Sequence, residues 1–171
     1  MFEIGDYIVK PIDGVCRLEN IVHLDMAGID KNRLYYLLIP IEDPERKIYV
    51  PTDKTDAYIR KAMTNKEALE WIEKIPEIEE IWVENEKQRE QIYKNAIKSC
   101  DPKELIKIIK ITYMRTKKRM AQGKKSTVVD DRFFRIAENH LYAELGFALN
   151  KSKNEICNLI TETINKKDCF R

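Results

Sequence analysis

The residues best suited to chemistry in this 171-residue sequence are the cations of segment 101–125, where nine Lys or Arg residues face only two acidic residues. Cations on one helix face can neutralise phosphates and release their counterions, which gives nucleic-acid affinity its salt dependence. The pattern indicates a nucleic-acid surface, although a solvated helix surface would also explain it. The candidate contacts in this segment are Arg115, Lys117, Lys118, Arg119, Lys124 and Lys125.

Trp82 is the second candidate, because Lys87, Arg89 and Lys94 follow it within a few turns of a predicted helix. An aromatic ring beside cations can stack on bases, or wedge between them, while the cations hold the phosphates. A tryptophan buried in a core or between domains would account for the same residue. Trp71 lies in an apolar run, and we predict that it belongs to the core.

The cysteines and histidines form no pattern of a catalytic or metal site. No C-x-x-C pair occurs, so the ligand spacing of a zinc site is missing. The common nucleotide-binding and metalloprotease fingerprints are also missing. We therefore predict reduced thiols, structural histidines, no cofactor and no small-molecule substrate. The residues concerned are Cys16, Cys100, Cys157, Cys169, His23 and His140.

The charge is divided unevenly along the chain, although the net charge is only +2. Residues 1–60 carry 8 basic and 11 acidic residues, and the remainder carries 23 basic and 18 acidic residues. An asymmetry between halves suggests two tasks, one of them directed at a polyanion.

Hydrophobic residues make up 43% of the chain, which is enough for a buried core. No apolar run approaches the roughly 18–20 residues that a membrane span needs. The first residues lack the basic and apolar regions of a signal peptide. We expect a cytoplasmic protein with no membrane partner.

Short runs rich in β-branched and aromatic residues, separated by turn residues, occupy the first 60 positions. Asp13-Gly14 predicts a tight turn between the first two runs. Several short strands at this spacing indicate a small antiparallel barrel. The predicted strands are 6–11, 15–24, 34–41, 47–51 and a short piece near Tyr58.

After Lys61 the pattern becomes helical. Four helix starts are predicted where a capping side chain precedes an acid by three residues, so that it can accept from an N–H of the first turn. A further helix is predicted over 81–99. The predicted capping pairs are Thr64 with Glu67, Asp101 with Glu104, Thr127 with Asp130, and Ser152 with Glu155.

These elements predict an α+β protein with a Tudor-like antiparallel β-barrel followed by an all-α helical bundle. We place the barrel at 1–62 and the bundle at 63–166. Residues 167–171 are predicted to form a frayed tail.

Three N-terminal motifs resemble the CarD/CdnL family of bacterial transcription regulators: FEIGDYIVKPIDGV at 2–15, YYLLIP at 35–40 and IYVP at 48–51. The helical part is similar through Arg89, Tyr93-Lys94 and the step 99–101. The resemblance extends over most of the chain, and the order of its motifs is more specific than any single one.

The resemblance implies a Tudor-like RNA-polymerase-interaction domain, shared with the transcription-repair coupling factor, and a helical DNA-binding domain. In the family, the first domain pairs a strand edge with the polymerase β subunit. The second meets promoter DNA at the upstream edge of the bubble, where a tryptophan wedges into the minor groove. The positions implied for polymerase contact are Leu24, Lys47, Ile48, Tyr49 and Val50.

Two departures from the family pattern bear on these sites. The position of the wedge tryptophan falls on Glu86, and Trp82 lies four residues earlier. Either the helix begins earlier here and Trp82 acts as the wedge, or the wedge is lost. Positions that carry polymerase-contacting arginines in other members fall on Leu24 and Tyr49. Either backbone pairing and apolar contact replace them, or binding to polymerase is weaker.

We therefore expect a non-enzymatic transcription regulator that binds the polymerase β subunit and double-stranded promoter DNA and modulates open-complex stability. An RNA- or ribosome-associated binding protein is the alternative, because small barrels and basic helices also suit structured RNA. An enzyme using a cysteine or a carboxylate pair has no constellation of residues in its favour.

Overall fold

The computed structural model describes residues 2–25, 28, 30–53, 59–79, 81, 83 and 85–168 of the chain. The chain divides into two compact units, Met1–Ala62 and Met63–Arg171. An antiparallel sheet forms the first unit and helices form the second, which confirms the α+β prediction.

The first unit is one five-stranded antiparallel sheet with the strand order β4-β3-β2-β1-β5. Its longest pairing joins β2 to β3, with a register shift between Leu18 and Asn20. A shift of this kind bends a strand and increases its twist. The strands are β1 Tyr7–Lys10, β2 Gly14–His23, β3 Leu34–Pro40, β4 Ile48–Pro51 and β5 Arg60–Lys61.

The predicted barrel does not close. Strands β4 and β5 lie at opposite edges of the sheet, and no pairing joins them within the described residues. Strand β5 has only two residues, which is too short a ladder to close a barrel. Tyr58, near which the last strand was predicted, lies outside the described residues.

One face of the sheet carries the core of the first unit. Alternating residues along a strand share a face, so the inward positions of β2 and β3 are apolar and buried. The buried core residues of this sheet are Ile8, Cys16, Leu18, Tyr36, Leu38 and Val50.

The second unit consists of five α-helices and a short 3-10 helix at Ile75–Glu77. All four predicted capping residues accept from a backbone N–H of the first turn of their helix. The Ser152 N–H and hydroxyl also donate to Glu155, which lowers the pKa of that carboxyl. The helices are α1 Asn65–Lys74, α2 Glu86–Ser99, α3 Pro102–Ala121, α4 Val128–Leu149 and α5 Lys153–Asp168.

Helix α2 begins five residues later than predicted. The Asn85 side chain caps it by accepting from the Lys87 N–H at 2.9 Å. Ile81 and Val83 precede the helix and pack, partly buried, against the helical core. Their apolar character produced the prediction of an early start, although it reflects packing of the segment before the helix.

Helix α5 continues to Asp168, two residues into the predicted tail. The rest of the predicted tail, 169–171, lies outside the described residues.

Helices α3 and α4 form the centre of the helical core, and α3 buries Leu105 and Ile108 there. The first backbone N–H of this unit, on Met63, donates to the buried carboxylate of Glu144 at 3.0 Å. No helix in the described part of the chain has the length and apolar character needed to cross a membrane.

Candidate binding interfaces

The outer edge of β4 is the first candidate interface. The Thr52 N–H donates to the Leu34 carbonyl at 3.0 Å, which marks a hydrogen-bonded pair at the end of the ladder. Such pairs alternate along an antiparallel ladder, so the backbone groups of Ile48 and Val50 face β3, and those of Tyr49 face outward. Among the described residues, no strand pairs with this outer edge.

The side chains of the predicted segment 47–50 separate into two groups. Val50 is buried in the sheet core, and Ile48 packs against that core. Lys47 is exposed, and the Tyr49 side chain is 41% exposed. The two aliphatic residues therefore hold the strand on the sheet, while Lys47 and Tyr49 are available for contact.

Leu24 does not lie at this edge. It follows β2, which is separated from β4 by β3, and its side chain is half-buried. The structure thus brings together Lys47, Ile48, Tyr49 and Val50 but leaves Leu24 two strands away.

Two ion pairs hold the ends of the β3–β4 hairpin. Before β4, Arg46 Nη1 lies 2.8 Å from Oδ1 of Asp13, whose side chain is only 2% exposed and also pairs with Lys10. After β4, Arg33 Nη2 lies 2.7 Å from Asp53 Oδ1, and this hydrogen bond raises the pKa of Arg33. These pairs fix the segments that enter and leave the edge strand.

Cys16, on β2, lies in the sheet core and is unsuited to nucleophilic chemistry. Burial, assisted by the nearby Asp13 carboxylate, raises the pKa of its thiol to about 11. The thiol is therefore protonated near neutral pH. Within the described residues, no three His, Cys, Asp or Glu side chains are grouped as a metal site would need.

The second candidate interface lies in the helical unit, but Arg89 is not on its surface. Arg89 is 8% exposed, and its Nε lies 3.6 Å from Oδ1 of the fully buried Asp130. Nε of the half-buried Arg115 lies 3.4 Å from the other oxygen of that carboxylate. This placement does not fit the prediction that Arg89 presents an exposed cation to DNA, because Asp130 draws it into the helical core.

Tyr93 belongs to the same buried cluster, one helical turn after Arg89. Burial and the nearby Asp130 carboxylate raise the pKa of its hydroxyl to about 12. The ring packs edge-on against Phe133, with centroids 5.3 Å apart. The cluster joins α2, α3 and the first turn of α4, so Arg89 and Arg115 hold helices together.

The exposed cations are concentrated at the end of α3 and in the loop after it. Arg119 is half-buried, and its Nε donates to the Lys125 carbonyl at 2.8 Å, which folds the loop back on the helix. Gly123 supports this turn with a φ of 71°. The exposed predicted contacts that result are Lys117, Lys118, Lys124 and Lys125.

The other two predicted contacts on α2, Lys87 and Lys94, are exposed. Lys87 lies in the first turn of the helix. Lys94 pairs with Glu90 at 3.0 Å, and Arg132 approaches the same carboxylate at 2.8 Å. Both cations lower the pKa of Glu90, with Lys94 having the larger effect. The charge of Lys94 is therefore partly neutralised within the protein.

Trp82 lies outside the described residues, so its role as a wedge stays a prediction. Helix α2 starts at Glu86, the position to which the family's wedge tryptophan aligns.

Trp71 is half-buried rather than fully in the core, and the Lys74 ammonium lies 5.7 Å from the centre of its ring. The ring lines an open groove of about 610 Å³ that mixes both signs of charge. The other lining residues are Lys74, Glu77, Ile78, Glu79, Lys103 and Lys107.

Large exposed apolar residues on α3 are the surface feature that the sequence reasoning missed. Tyr113, Met114 and Met120 are exposed among the predicted cations. Their position off the buried stripe of Leu105 and Ile108 is the sequence feature that could have revealed them.

A family model described as the CarD-like/TRCF RID domain matches residues 2–63. The match spans the whole described sheet, including the β4 edge and the paired Asp13. No curated protein matched the chain. The match associates the sheet unit with RNA polymerase interaction and transcription. Residues 2–63 therefore form a CarD-like/TRCF RID domain.

Proposed function

We propose that this protein is a non-enzymatic transcription regulator that binds the RNA polymerase β subunit through its sheet and promoter DNA through its helices. The match of residues 2–63 to the CarD-like/TRCF RID domain carries this proposal. The outer edge of β4, where no described strand pairs, supports it from geometry.

Docking on the β subunit would occur by addition of a strand to β4. The outward backbone N–H and carbonyl of Tyr49 supply hydrogen bonds to an incoming strand, as in β-augmentation generally. The exposed Tyr49 ring adds apolar contact beside them. Backbone pairing in this form needs no arginine, which is consistent with Tyr49 standing where other family members carry one.

Promoter DNA would lie along the helical unit. From Leu105 to Val129 the sequence has eight Lys or Arg residues and no Asp or Glu, so a phosphate backbone meets no carboxylate of this segment. Trp82, Lys87 and Lys94 lie on or before α2 and would extend the contact, with Trp82 as the proposed wedge. In the family this contact falls at the upstream edge of the bubble.

The protein would thereby modulate the lifetime of the open complex. A longer lifetime activates a promoter at which DNA opening limits the rate, and represses one at which escape of the polymerase limits it. The same contact can therefore give activation or repression. RNA remains the alternative ligand of the basic segment, and bubble DNA binding better than RNA of matched sequence would favour the transcription proposal.

The deciding experiment is capture of the polymerase β lobe by the purified chain, with nuclease present to remove nucleic-acid bridges. Tyr49→Pro removes the outward N–H, and the proline ring also blocks an incoming strand. This substitution should reduce β-lobe affinity about tenfold or more. Proline is tolerated where an edge-strand N–H faces solvent, so the variant should still fold.

Tyr49→Ala is the matched control, because it removes the ring and keeps the N–H. It should weaken binding less than Tyr49→Pro. No capture of the β lobe by the wild-type chain would refute the proposed docking. Equal losses of affinity in the two variants would show that binding depends on the tyrosine ring rather than on strand addition.

A further inference from the structure

The C-terminal half of α3 exposes three large apolar side chains beside its cations. Tyr113 is 56% exposed, Met114 is 48% exposed and Met120 is 66% exposed. The opposite side of the same helix is buried in the core. Neighbouring exposed apolar side chains of this size mark a contact surface.

Helical spacing arranges these side chains in two neighbouring rows. Tyr113 and Lys117 are four residues apart, as are Met114 and Lys118, so each apolar residue lies beside a cation. Met120 follows Tyr113 by seven residues and shares its face two turns later. We call Tyr113, Met114, Lys117, Lys118 and Met120 the α3 surface.

The charge around the α3 surface favours an anionic ligand. No acidic residue occurs in the sequence between Glu104 and Asp130. The Asp130 carboxylate is fully buried and pairs with Arg89 and Arg115, so it does not offset the exposed lysines at the surface. A ligand that matches this surface must combine negative charge with a flat apolar face.

A nucleotide has both properties, with a charged phosphate and a base that stacks on aromatic rings. Inside a duplex each base face is covered by its neighbours, whereas a base where the duplex opens offers a free face. The ring of Tyr113 therefore selects for an unstacked base, while Lys117 and Lys118 suit the adjoining phosphates. An acidic peptide would satisfy the charge but leave the ring without a flat partner.

We propose that the α3 surface holds an unpaired nucleotide at a junction between duplex and single-stranded DNA, with Tyr113 stacked on its base. This inference rests on the proposed function, in which the helical unit binds promoter DNA. It assigns part of the recognition of the bubble edge to Tyr113, on a surface separate from the proposed wedge Trp82.

The test compares binding of the full chain to a fork DNA and to a blunt duplex with the same number of phosphates. Tyr113→Ala should lower fork affinity about fivefold or more, the lower range for stacking of one base on an aromatic ring. Its blunt-duplex affinity and its salt dependence should stay unchanged, because no charge is removed. Tyr113→Phe keeps the ring and should bind the fork as the wild type does.

Two further variants serve as controls. Lys117→Ala should weaken binding to both DNAs and reduce the salt dependence. Leu69→Ala removes an exposed apolar side chain from α1 and should change neither affinity. Tyr113 is exposed, so thermal unfolding of its variants should match that of the wild type.

Each contrary result has a distinct meaning. An effect of Lys117→Ala without an effect of Tyr113→Ala would overturn the inference and leave DNA binding in place. Equal loss of both DNAs in Tyr113→Ala would overturn it by placing the ring on the duplex. Polyglutamate binding as tightly as the fork would overturn it by showing selection for charge alone. Failure of the wild type to bind either DNA would refute the DNA-binding part of the proposed function.

Discussion

Asp130 decides which cations of the helical unit face solvent. Its fully buried carboxylate pairs with Arg89 and Arg115, while Lys117 and Lys118 remain exposed. Burying a charge is costly unless the charge is paired. Here the pairing between the carboxylate and the guanidinium groups offsets the cost of removing them from water. Arg89 and Arg115 therefore serve the fold, and the exposed lysines are left for a ligand.

Asp130→Ala should destabilise the protein by about 3–5 kcal/mol, because it removes the buried carboxylate that pairs with Arg89 and Arg115. The neighbouring Asp131 is exposed, and Asp131→Ala should cost about 1 kcal/mol or less. Urea unfolding of both variants measures the difference. Similar losses for the two would contradict the structural role given to the buried pair.

At the scale of elements, strand β5 depends on a tie to β1 as well as on its two paired residues. Lys61 Nζ lies 2.8 Å from Asp6 Oδ2, and the Ala62 N–H donates to the Tyr7 carbonyl. The Glu3 N–H donates to the same Asp6 carboxylate at 2.9 Å. One carboxylate thus joins the beginning of the sheet unit to its last strand.

This tie predicts an acid-sensitive contribution to stability. The Glu3 N–H, followed by Lys61, lowers the pKa of Asp6 below its ordinary 3.8. A lowered carboxyl pKa contributes stability that is complete above the ordinary value and is lost as the pH falls through the folded-state value. Wild type should therefore exceed Asp6→Asn in unfolding free energy at neutral pH, and the difference should close in acid.

Chemical denaturation of both proteins between about pH 7 and about pH 2 measures how their difference in unfolding free energy changes with pH. Glu42→Gln, at an exposed position before β4, is the control and should show no such trend. A constant difference between wild type and Asp6→Asn across this range would contradict the predicted linkage.

Local features of the elements could be predicted from the sequence, and features that depend on distant residues could not. The caps at Thr64, Asp101 and Thr127 involve atoms only two or three residues away, so their spacing revealed them. Burial of Arg89 depends on Asp130, 41 positions later. The helical periodicity of the sequence does not predict this pairing.

Closure of the sheet likewise could not be predicted from a local sequence pattern. The strands themselves were predicted from β-branched and aromatic runs separated by turn residues. Closure requires β4 and β5 to meet, and β5 forms only at Arg60–Lys61. At the candidate interfaces, the family resemblance indicated the edge segment 47–50 and the charge pattern indicated the basic stretch. Tyr113 was not singled out, although it lies off the buried stripe of Leu105 and Ile108.

At the scale of the whole molecule, the two units carry different charge. The sheet unit is rich in acids, and the stretch 105–129 of the helical unit has cations only. Charge of this kind sets the salt dependence and rate of association with a polyanion. The division matches a protein partner for one unit and DNA for the other.

Reversing the charge of Lys117 and Lys118 together should weaken duplex binding and flatten its dependence on salt. The slope of log affinity against log salt should fall by about 0.9 for each phosphate that the variant no longer neutralises. Lys31→Glu with Lys66→Glu makes the same change in net charge away from the basic stretch and is the control. An equal effect of both pairs would show that total charge, rather than the basic stretch, governs binding.

The shortness of β4 has a consequence for self-association. An exposed strand edge can recruit a second copy of the same chain and begin aggregation. Strand β4 has only four residues and ends at Pro51, which has no N–H to donate, while Lys47 places a charge before its start. Two such edges would gain few hydrogen bonds from each other and would bring like charges together. We therefore expect pairing of β4 with the same edge of a second copy to be disfavoured.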